Sequence, residues 1–196
     1  QGFFLGEHGW YDKRFMYEPC LRIPLLISWP GITDKGSNTE ALVQNLDLAQ
    51  TILAMAGIDA PTRMQGESLV PILKGEAQTC RDALYYHYYE FPYWHHVQPH
   101  YGIRTQDFTI AHFYYNIDVW ELYDLNKAPE QLHNVYADPA YAQTVARLKK
   151  ELKALMAKNG NDKSLADFRM ITDKDFGSIV DQKDDETSVR DVLTTE

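Results

Sequence analysis

The sequence predicts an α/β protein built from two parts, with a polar tail behind them. A nearly uninterrupted apolar run at 22–30 precedes a helical pattern at 41–56, which is the strand, loop and helix order of an α/β layer. Four short segments rich in aromatic residues then follow within 83–123. An apolar stripe with helical spacing completes the pattern between 138 and 160.

The first part, residues 1–80, is expected to hold one buried strand and two helices. The run at 22–30 barely alternates, which is typical of a strand covered on both faces in a parallel or mixed sheet. The following helix is predicted to use Asp47 as its N-cap and to end at Gly57. A short helical turn over Ser68–Leu73, with its first serine as the cap, follows the turn at 64–66.

The second part, residues 81–160, is expected to be an antiparallel meander covered by a helix. Asp138 followed by a proline marks the start of that helix, which is predicted to pack across one face of the sheet and to end at Asn159-Gly160. The predicted strands are Ala83–Glu90, His100–Thr105, Phe108–Tyr114 and Val119–Tyr123.

The composition excludes several classes of protein. With 44% hydrophobic and 24% charged residues among 196, the chain can bury a core, and no apolar run reaches the length of about 20 residues that a membrane span needs. A net charge of −9 argues against a nucleic-acid partner. Cys20 and Cys80 have neither zinc nor disulfide-framework spacing, and would pair only if the fold brought them together. Residues 161–196 are polar and aperiodic, so they are expected to form a loosely attached tail.

The opening loop carries the densest chemistry of the chain. The amide oxygen of Gln1 is a suitable ligand for a hard cation, although a terminal glutamine is more often merely solvated. Lys13 would reach the same pocket as a point charge for an oxyanion if the loop folds back; otherwise it is an ordinary surface lysine. His8 is either a proton shuttle or a loop anchor. No second histidine follows at the spacing of a zinc helix, which excludes a metalloprotease.

The whole opening string, G-x-x-L-G-E-H-G-x-x-x-K-R followed by R-I-P-L-L-I-x-W-P-G, closely resembles the formylglycine-dependent sulfatases of the alkaline-phosphatase superfamily. The resemblance implies that Gln1 is one of two adjacent ligands of an active-site calcium, the other being an aspartate just before it. It also implies that Lys13 contacts the sulfate group, and that His8 anchors the loop near the site. Weaker matches, such as Met64-Gln65-Gly66, extend it to about residue 160.

The resemblance also implies what kind of piece this chain is. It starts inside a motif, so we expect a C-terminal portion of an alkaline-phosphatase-like sandwich followed by the family's small C-terminal subdomain. The cysteine or serine of the C/S-x-P-x-R motif, which becomes the formylglycine nucleophile, is missing: the segment Cys20–Pro24 has its proline and arginine exchanged. The chain alone is therefore expected to be inactive.

The aromatic and histidine-rich stretch at 85–101 offers candidate substrate contacts. Aromatic faces with imidazole donors are typical of sugar sites, although residues 85–89 fit a half-buried strand better. A Trp-His-His loop between two prolines is poorly patterned for a strand. We therefore predict substrate contacts by His95, His96, His100 and Arg104; metal binding by the histidines is the less favoured alternative.

These observations predict that the full-length protein hydrolyses sulfate esters, on a sulfated carbohydrate and of the glycosaminoglycan type. Calcium and formylglycine are the implied cofactors, and the family implies a periplasmic or secreted location. The alternatives are a phosphonate or phosphate monoester hydrolase of the same superfamily, and a carbohydrate-binding module without catalysis. Only an enzyme would need a lysine and an amide held together in the opening loop.

Overall fold

The computed structural model describes residues 1–92 and 96–176. Within them lie six strands, five α-helices and two short 3-10 turns. The strands are β1 (Phe4–Leu5), β2 (Tyr11–Asp12), β3 (Ala83–Tyr88), β4 (His100–Thr105), β5 (Phe108–Phe113) and β6 (Val119–Asp124). The helices are α1 (Glu18–Leu21), α2 (Asn45–Met55), α3 (Val70–Leu73), α4 (Ala142–Lys158) and α5 (Leu165–Phe176), and the 3-10 turns are Glu7–Gly9 and Pro139–Tyr141.

The predicted meander is confirmed as a four-stranded antiparallel sheet in the order β3-β4-β5-β6. The central register pairs Ile103 with Ile110, and Ile110 with Leu122. Because directly paired residues of neighbouring strands point to the same side of a sheet, these three residues share one face, and all three are fully buried. Both faces of the sheet are covered, and each has its own core.

Helices α4 and α5 cover the first face. The Asp138 carboxylate accepts the Ala140 N–H at 2.8 Å, which confirms the predicted start of this helical segment. Leu148, Leu152 and Met156 of α4 are buried against the sheet, as the apolar stripe predicted. The prediction of a loose tail is wrong over α5, because Phe168 packs without exposure into the same core. Residues 177–196 of the predicted tail lie outside the described residues.

The opening segment covers the second face. Phe4, Met16 and Tyr17 pack there against Ala111 and Phe113 in one buried cluster. The approach is close: a Cβ on Gly102 of β4 would lie 2.0 Å from the Ile110 carbonyl oxygen and 2.8 Å from the Met16 Sδ. Glycine at this position is what allows the loop to lie directly on the sheet.

The predicted buried strand at 22–30 is wrong for this structure. Residues 22–44, all described, form no helix or strand, and the Leu26 side chain is 95% exposed. A strand of a parallel sheet needs neighbouring strands and helices on both faces, and the described residues provide neither to this segment.

The predicted helix at 41–56 forms, but its cap differs. The N-cap is Gln44, and Asp47 lies at N3, where its carboxylate accepts the Gln44 N–H at 2.6 Å in a capping box. The prediction failed because Asp47 is recruited by distant groups: it also accepts the Glu67 N–H at 2.8 Å and pairs with Arg81. Gly57 ends the helix with φ of 70°, as predicted.

Two smaller expectations are also resolved. The helical turn predicted over Ser68–Leu73 is shorter, because α3 begins at Val70 with Leu69 as its N-cap. The Ser68 hydroxyl still accepts the Val70 N–H at 3.3 Å. Cys20 is buried and Cys80 partly buried, and both are free thiols, so the fold does not pair them.

Candidate active site

The opening loop folds into a tight hairpin that presents Lys13. Strands β1 and β2 pair antiparallel, and the 3-10 turn Glu7–Gly9 forms the tip between them. Lys13 follows β2 directly and lies between Asp12 and Arg14, which have φ values of 81° and 99°. Residues other than glycine rarely adopt such angles unless the surrounding structure enforces them. The lysine is therefore held by an unusual backbone that the packing has to maintain.

The hairpin brings Gln1 and Lys13 to one cavity, as the sequence predicted from the folding back of the loop. The cavity has a volume of about 310 Å³. Two tyrosines of β3, Tyr86 and Tyr88, form its wall on the side of the sheet. The remaining lining residues are Arg14, Phe15, Cys20 and Leu21.

The cations of the cavity are fixed by acidic neighbours. The Lys13 Nζ lies 3.2 Å from the Asp12 carboxylate and 5.7 Å from the centre of the Phe3 ring. Arg14 also pairs with Asp12, and its Nε lies 3.9 Å from a Glu90 carboxylate oxygen. Desolvation opposes the ionisation of Asp12, but the two cations outweigh it and lower the pKa of this carboxyl. The arrangement holds two positive side chains beside the cavity.

The His8 side chain anchors the hairpin tip. Its ring stacks on the Tyr17 ring, with centroids 4.6 Å apart and planes at 6°, and meets the edge of Phe4 at 5.7 Å. This packing accounts for the positive φ of 56° at His8 and favours the anchor over the proton shuttle.

The predicted substrate contacts lie in different places. His100 and Arg104 share the sheet face that the opening segment covers, because both alternate with Tyr101 and Ile103 along β4. His100 is fully buried among the rings of Phe15, Tyr86 and Phe113, and burial lowers its pKa to about 4. A substrate contact by His100 stays a prediction, for which this packing gives no open path.

Arg104 and His96 have surroundings that differ from those of His100. The Arg104 guanidinium donates to both carboxylate oxygens of Glu18, at 3.0 and 3.2 Å, so it ties β4 to α1. His96 is exposed, with a φ of 49°. His95 lies outside the described residues. Substrate contacts by all three stay predictions.

The sequence analysis missed the tyrosine wall of the cavity. Tyr86 and Tyr88 alternate with Tyr85, His87 and Tyr89 along β3 and the residue after it, so the two sets point to opposite faces of the sheet. The Tyr86 hydroxyl donates to the Arg14 carbonyl oxygen at 2.7 Å, and the Tyr88 hydroxyl to Glu90 at 2.9 Å. The alternation was the signal available in the sequence, but it did not reveal which face the opening loop would cover.

A larger cavity, of about 690 Å³, lies on the opposite face of β3. Four of its lining residues, Tyr85, His87, Tyr89 and Asn161, form one hydrogen-bond network. The Asn161 amide nitrogen lies 2.6 Å from the Tyr85 hydroxyl and 2.8 Å from the His87 Nδ1, and the Tyr89 hydroxyl donates to its oxygen at 3.0 Å. Burial lowers the pKa of His87 to about 3, which keeps the imidazole neutral. This network joins the chain after α4 to the sheet and is structural.

The described residues do not build a complete metal site. No group of three or more histidine, cysteine, aspartate or glutamate side chains within 1–92 and 96–176 is arranged to hold an ion. A calcium ion needs six to eight oxygen ligands, and a calcium contact by the Gln1 amide stays a prediction. In the same part of the chain, no helix has the length and apolar character required to cross a bilayer.

Comparison with known proteins identifies sulfatases as relatives. The N-acetylglucosamine-6-O-sulfatase of Bacteroides thetaiotaomicron is 50% identical over 159 residues, covering 80% of this chain and 28% of that enzyme. The human N-acetylglucosamine-6-sulfatase is 40% identical over 82 residues, covering 37% of this chain and 15% of that enzyme. The chain thus spans only a minor part of the length of these relatives.

Solved structures show the same fold. One protein, solved in complex with its substrate D-glucosamine-2-N,6-O-disulfate, superposes with a TM-score of 0.81 at 46% identity, over 84% of this chain and 34% of that one. A phosphonate monoester hydrolase from Silicibacter pomeroyi superposes with a TM-score of 0.67 at 27% identity, over 78% of this chain and 32% of that one. These likenesses confirm the predicted alkaline-phosphatase-like α/β class. A family model described as N-sulphoglucosamine sulphohydrolase, C-terminal, matches residues 6–158, and the chain belongs to that sulfatase family.

Proposed function

We propose that this chain is the C-terminal part of a sulfatase that hydrolyses sulfate esters on carbohydrate. The observation that carries the proposal is the shared cavity of Gln1 and Lys13, in a chain of the sulphohydrolase family. Lys13 would bind a sulfate oxygen and stabilise the charge that grows on the ester oxygen as the bond to sulfur breaks. Gln1 would contribute an amide oxygen to calcium, whose other ligands lie outside this chain.

The relatives indicate a narrower substrate class. A bacterial relative half identical to this chain is named for the 6-O-sulfate of N-acetylglucosamine, and a structural neighbour was solved with a 2-N,6-O-disulfated glucosamine. We infer that the substrate here is a glucosamine unit sulfated at O6. Tyr86 and Tyr88 provide apolar ring surface and hydroxyls beside Lys13, as a sugar ring with an attached sulfate requires.

Replacing Lys13 tests this function in the full-length protein. Hydrolysis of N-acetylglucosamine 6-sulfate by Lys13→Ala should lose about 100- to 1,000-fold in kcat, the usual effect of removing one preorganised group that stabilises a charged transition state. The variant Lys35→Ala removes an exposed lysine and should leave kcat unchanged. Wild-type turnover by Lys13→Ala would contradict the role of this lysine.

The phosphonate monoester hydrolase likeness supports a second candidate. Phenyl phosphonate esters assayed beside N-acetylglucosamine 6-sulfate and galactose 6-sulfate distinguish the two, because the better substrate has the higher kcat/KM. A protein that binds these sugars without hydrolysing any would be a carbohydrate-binding module instead. The sequence before Gln1 provides a further test: sulfatase function requires an aspartate directly before it and a C/S-x-P-x-R motif upstream.

Location and cofactors complete the proposal. A periplasmic or secreted enzyme fits the family, and a Drosophila melanogaster relative named as an extracellular sulfatase homologue is 39% identical over 82 residues. Cell fractionation with an activity assay measures the location. Formylglycine would come from the cysteine or serine of the upstream motif, and mass spectrometry of the corresponding peptide detects its conversion.

A further inference from the structure

A partly buried carboxylate on the sheet, that of Glu121, binds Tyr17, a residue that follows the hairpin. The Glu121 side chain on β6 points to the face covered by the opening segment, where it accepts a hydrogen bond of 2.8 Å from the Tyr17 hydroxyl. The Tyr123 ring meets the Tyr17 ring edge-on at 5.7 Å. Burial raises the pKa of Glu121 above its ordinary value, against the opposing effect of hydrogen bonds with Tyr17 and Tyr123. The bond thus provides a hydrogen-bond partner for a carboxyl that is otherwise costly to bury.

The Tyr17 ring contacts the segment that carries Lys13 on both sides of the lysine. On one side its ring stacks on His8 at the hairpin tip, with centroids 4.6 Å apart. On the other it stacks on Phe15, at 5.6 Å and 17°, two residues after the lysine. Lys13 therefore lies between two contacts of a single, fixed tyrosine ring.

The backbone of this segment needs such support. Asp12 and Arg14, on either side of the lysine, both have positive φ values, which are strained for residues other than glycine. Such strain relaxes unless the surrounding packing prevents it. The contacts of Tyr17 with His8, Phe15 and Glu121 are among those that hold the segment in place.

We propose that Tyr17 and Glu121 are positioning residues that fix the Lys13 ammonium at the sulfate site. Neither side chain lines the cavity of Gln1 and Lys13. Their effect passes through the hairpin, and the inference rests on the proposed role of Lys13. Because Glu121 belongs to β6, the four-stranded sheet would help to position the lysine.

The variant Tyr17→Phe tests the proposal in the full-length protein. It keeps the ring stacks and removes the hydroxyl that donates to Glu121 and also contacts the Tyr123 hydroxyl. With N-acetylglucosamine 6-sulfate, kcat should fall about 10- to 100-fold, the range expected for a displacement of a reacting group by up to 1 Å, with KM nearly unchanged. Tyr89→Phe is the matched control, since it removes a phenol bond to Asn161 on the opposite face and should leave kcat unchanged.

A double-mutant cycle shows whether the effect passes through Lys13. If it does, Tyr17→Phe should lower kcat little further in a Lys13→Ala background. Fully additive losses would overturn the proposal, as would an unchanged kcat in Tyr17→Phe. If Lys13→Ala itself has wild-type kcat, the proposed function of the lysine fails first, so the two failures are distinguishable.

Glu121 variants provide a second reading if Tyr17→Phe folds poorly. Glu121→Gln keeps an oxygen that accepts the phenol proton, whereas Glu121→Ala removes it. The loss in kcat should therefore be larger for alanine than for glutamine at equal folded fraction, as measured by circular dichroism. Equal losses for the two variants would overturn the positioning role.

Discussion

Replacing Arg81 by alanine should strongly destabilise the protein, because it leaves a buried aspartate without its cation. The guanidinium donates two hydrogen bonds of 2.5 Å to the Asp47 carboxylate and one of 3.0 Å to the Leu42 carbonyl oxygen. Asp47 is fully buried at the start of α2. The pair joins that helix to the residues just before β3, so its loss affects two parts of the chain at once.

The contacts of Asp47 determine how much unfolding free energy Arg81→Ala should lose. Breaking a buried ion pair by removing one partner usually costs about 3–5 kcal/mol, because the remaining charge stays buried. Here the Gln44 and Glu67 N–H groups still bind the carboxylate, at 2.6 and 2.8 Å. These two bonds keep part of its stabilisation, so we expect the lower end of the range, about 3 kcal/mol.

Urea unfolding at pH 7 measures the loss. The control Lys158→Ala removes a lysine that is 68% exposed and 3.5 Å from Glu67, and should cost less than about 1 kcal/mol. Adding Asp47→Asn to Arg81→Ala should recover part of the loss, because a neutral amide is less costly to bury than a charge. A loss below about 1 kcal/mol in Arg81→Ala would refute the reasoning.

The same pair predicts a pH dependence. Burial alone raises the pKa of Asp47, but Arg81 and the two N–H donors outweigh it and hold the pKa below its ordinary value of about 3.9. A group with a lowered pKa contributes its full stability above the unfolded value and loses it as the pH falls through the folded value. Without Arg81, burial favours the protonated form of Asp47 at a higher pH than in the wild type. The stability gap between wild type and Arg81→Ala should therefore be largest near pH 7 and narrow as the pH falls.

Two further substitutions test the two faces of the sheet. Phe168→Ala should lower the free energy of unfolding in urea by about 3–5 kcal/mol, because the buried ring packs edge-on against His87 at 4.6 Å. As a control, Met170→Ala changes a residue that is 59% exposed and should lower it by less than about 0.5 kcal/mol. Gly102→Ala should lower the melting temperature, with a cost of about 1–3 kcal/mol, since its Cβ would overlap the Ile110 carbonyl oxygen and the Met16 Sδ. An unchanged melting temperature would show that β5 and the opening segment do not approach this position as described.

Local signals explain why the second part of the chain was predictable. The strand His100–Thr105 was predicted with its observed bounds, since turn residues flank it on both sides. Asp138 and the buried stripe of α4 follow equally from spacing along the sequence. Helix α5 was missed because polar residues separate its apolar ones; within 165–175, Phe168 and Thr172 are fully buried and Leu165 and Ile171 only partly so. Its position depends on contacts with β3, about 80 residues away in sequence.

The shared location of Gln1 and Lys13 was predictable from the sequence, but the surroundings of the cavity were not. Residue types in the opening loop indicated that Gln1 and Lys13 belong to one pocket, and they line the same cavity. Neither the ring of Tyr17 nor the carboxylate of Glu121 gave any local signal, because their bond spans 104 positions of the sequence. Which face of β3 turns to the loop likewise depends on the assembled sheet.

The strand prediction at 22–30 is wrong for the same physical reason that one face of α2 is exposed. Leu26 is 95% exposed and Ile52 of α2 is 64% exposed, although both belong to patterns that predict burial. An apolar pattern indicates which side chains are suited to burial. It does not show whether another part of the protein packs against them. In the second part, the sheet and α4 cover each other, so pattern and structure agree. We therefore expect the apolar residues of the first part to pack against residues outside this chain, as the short span relative to the sulfatases requires.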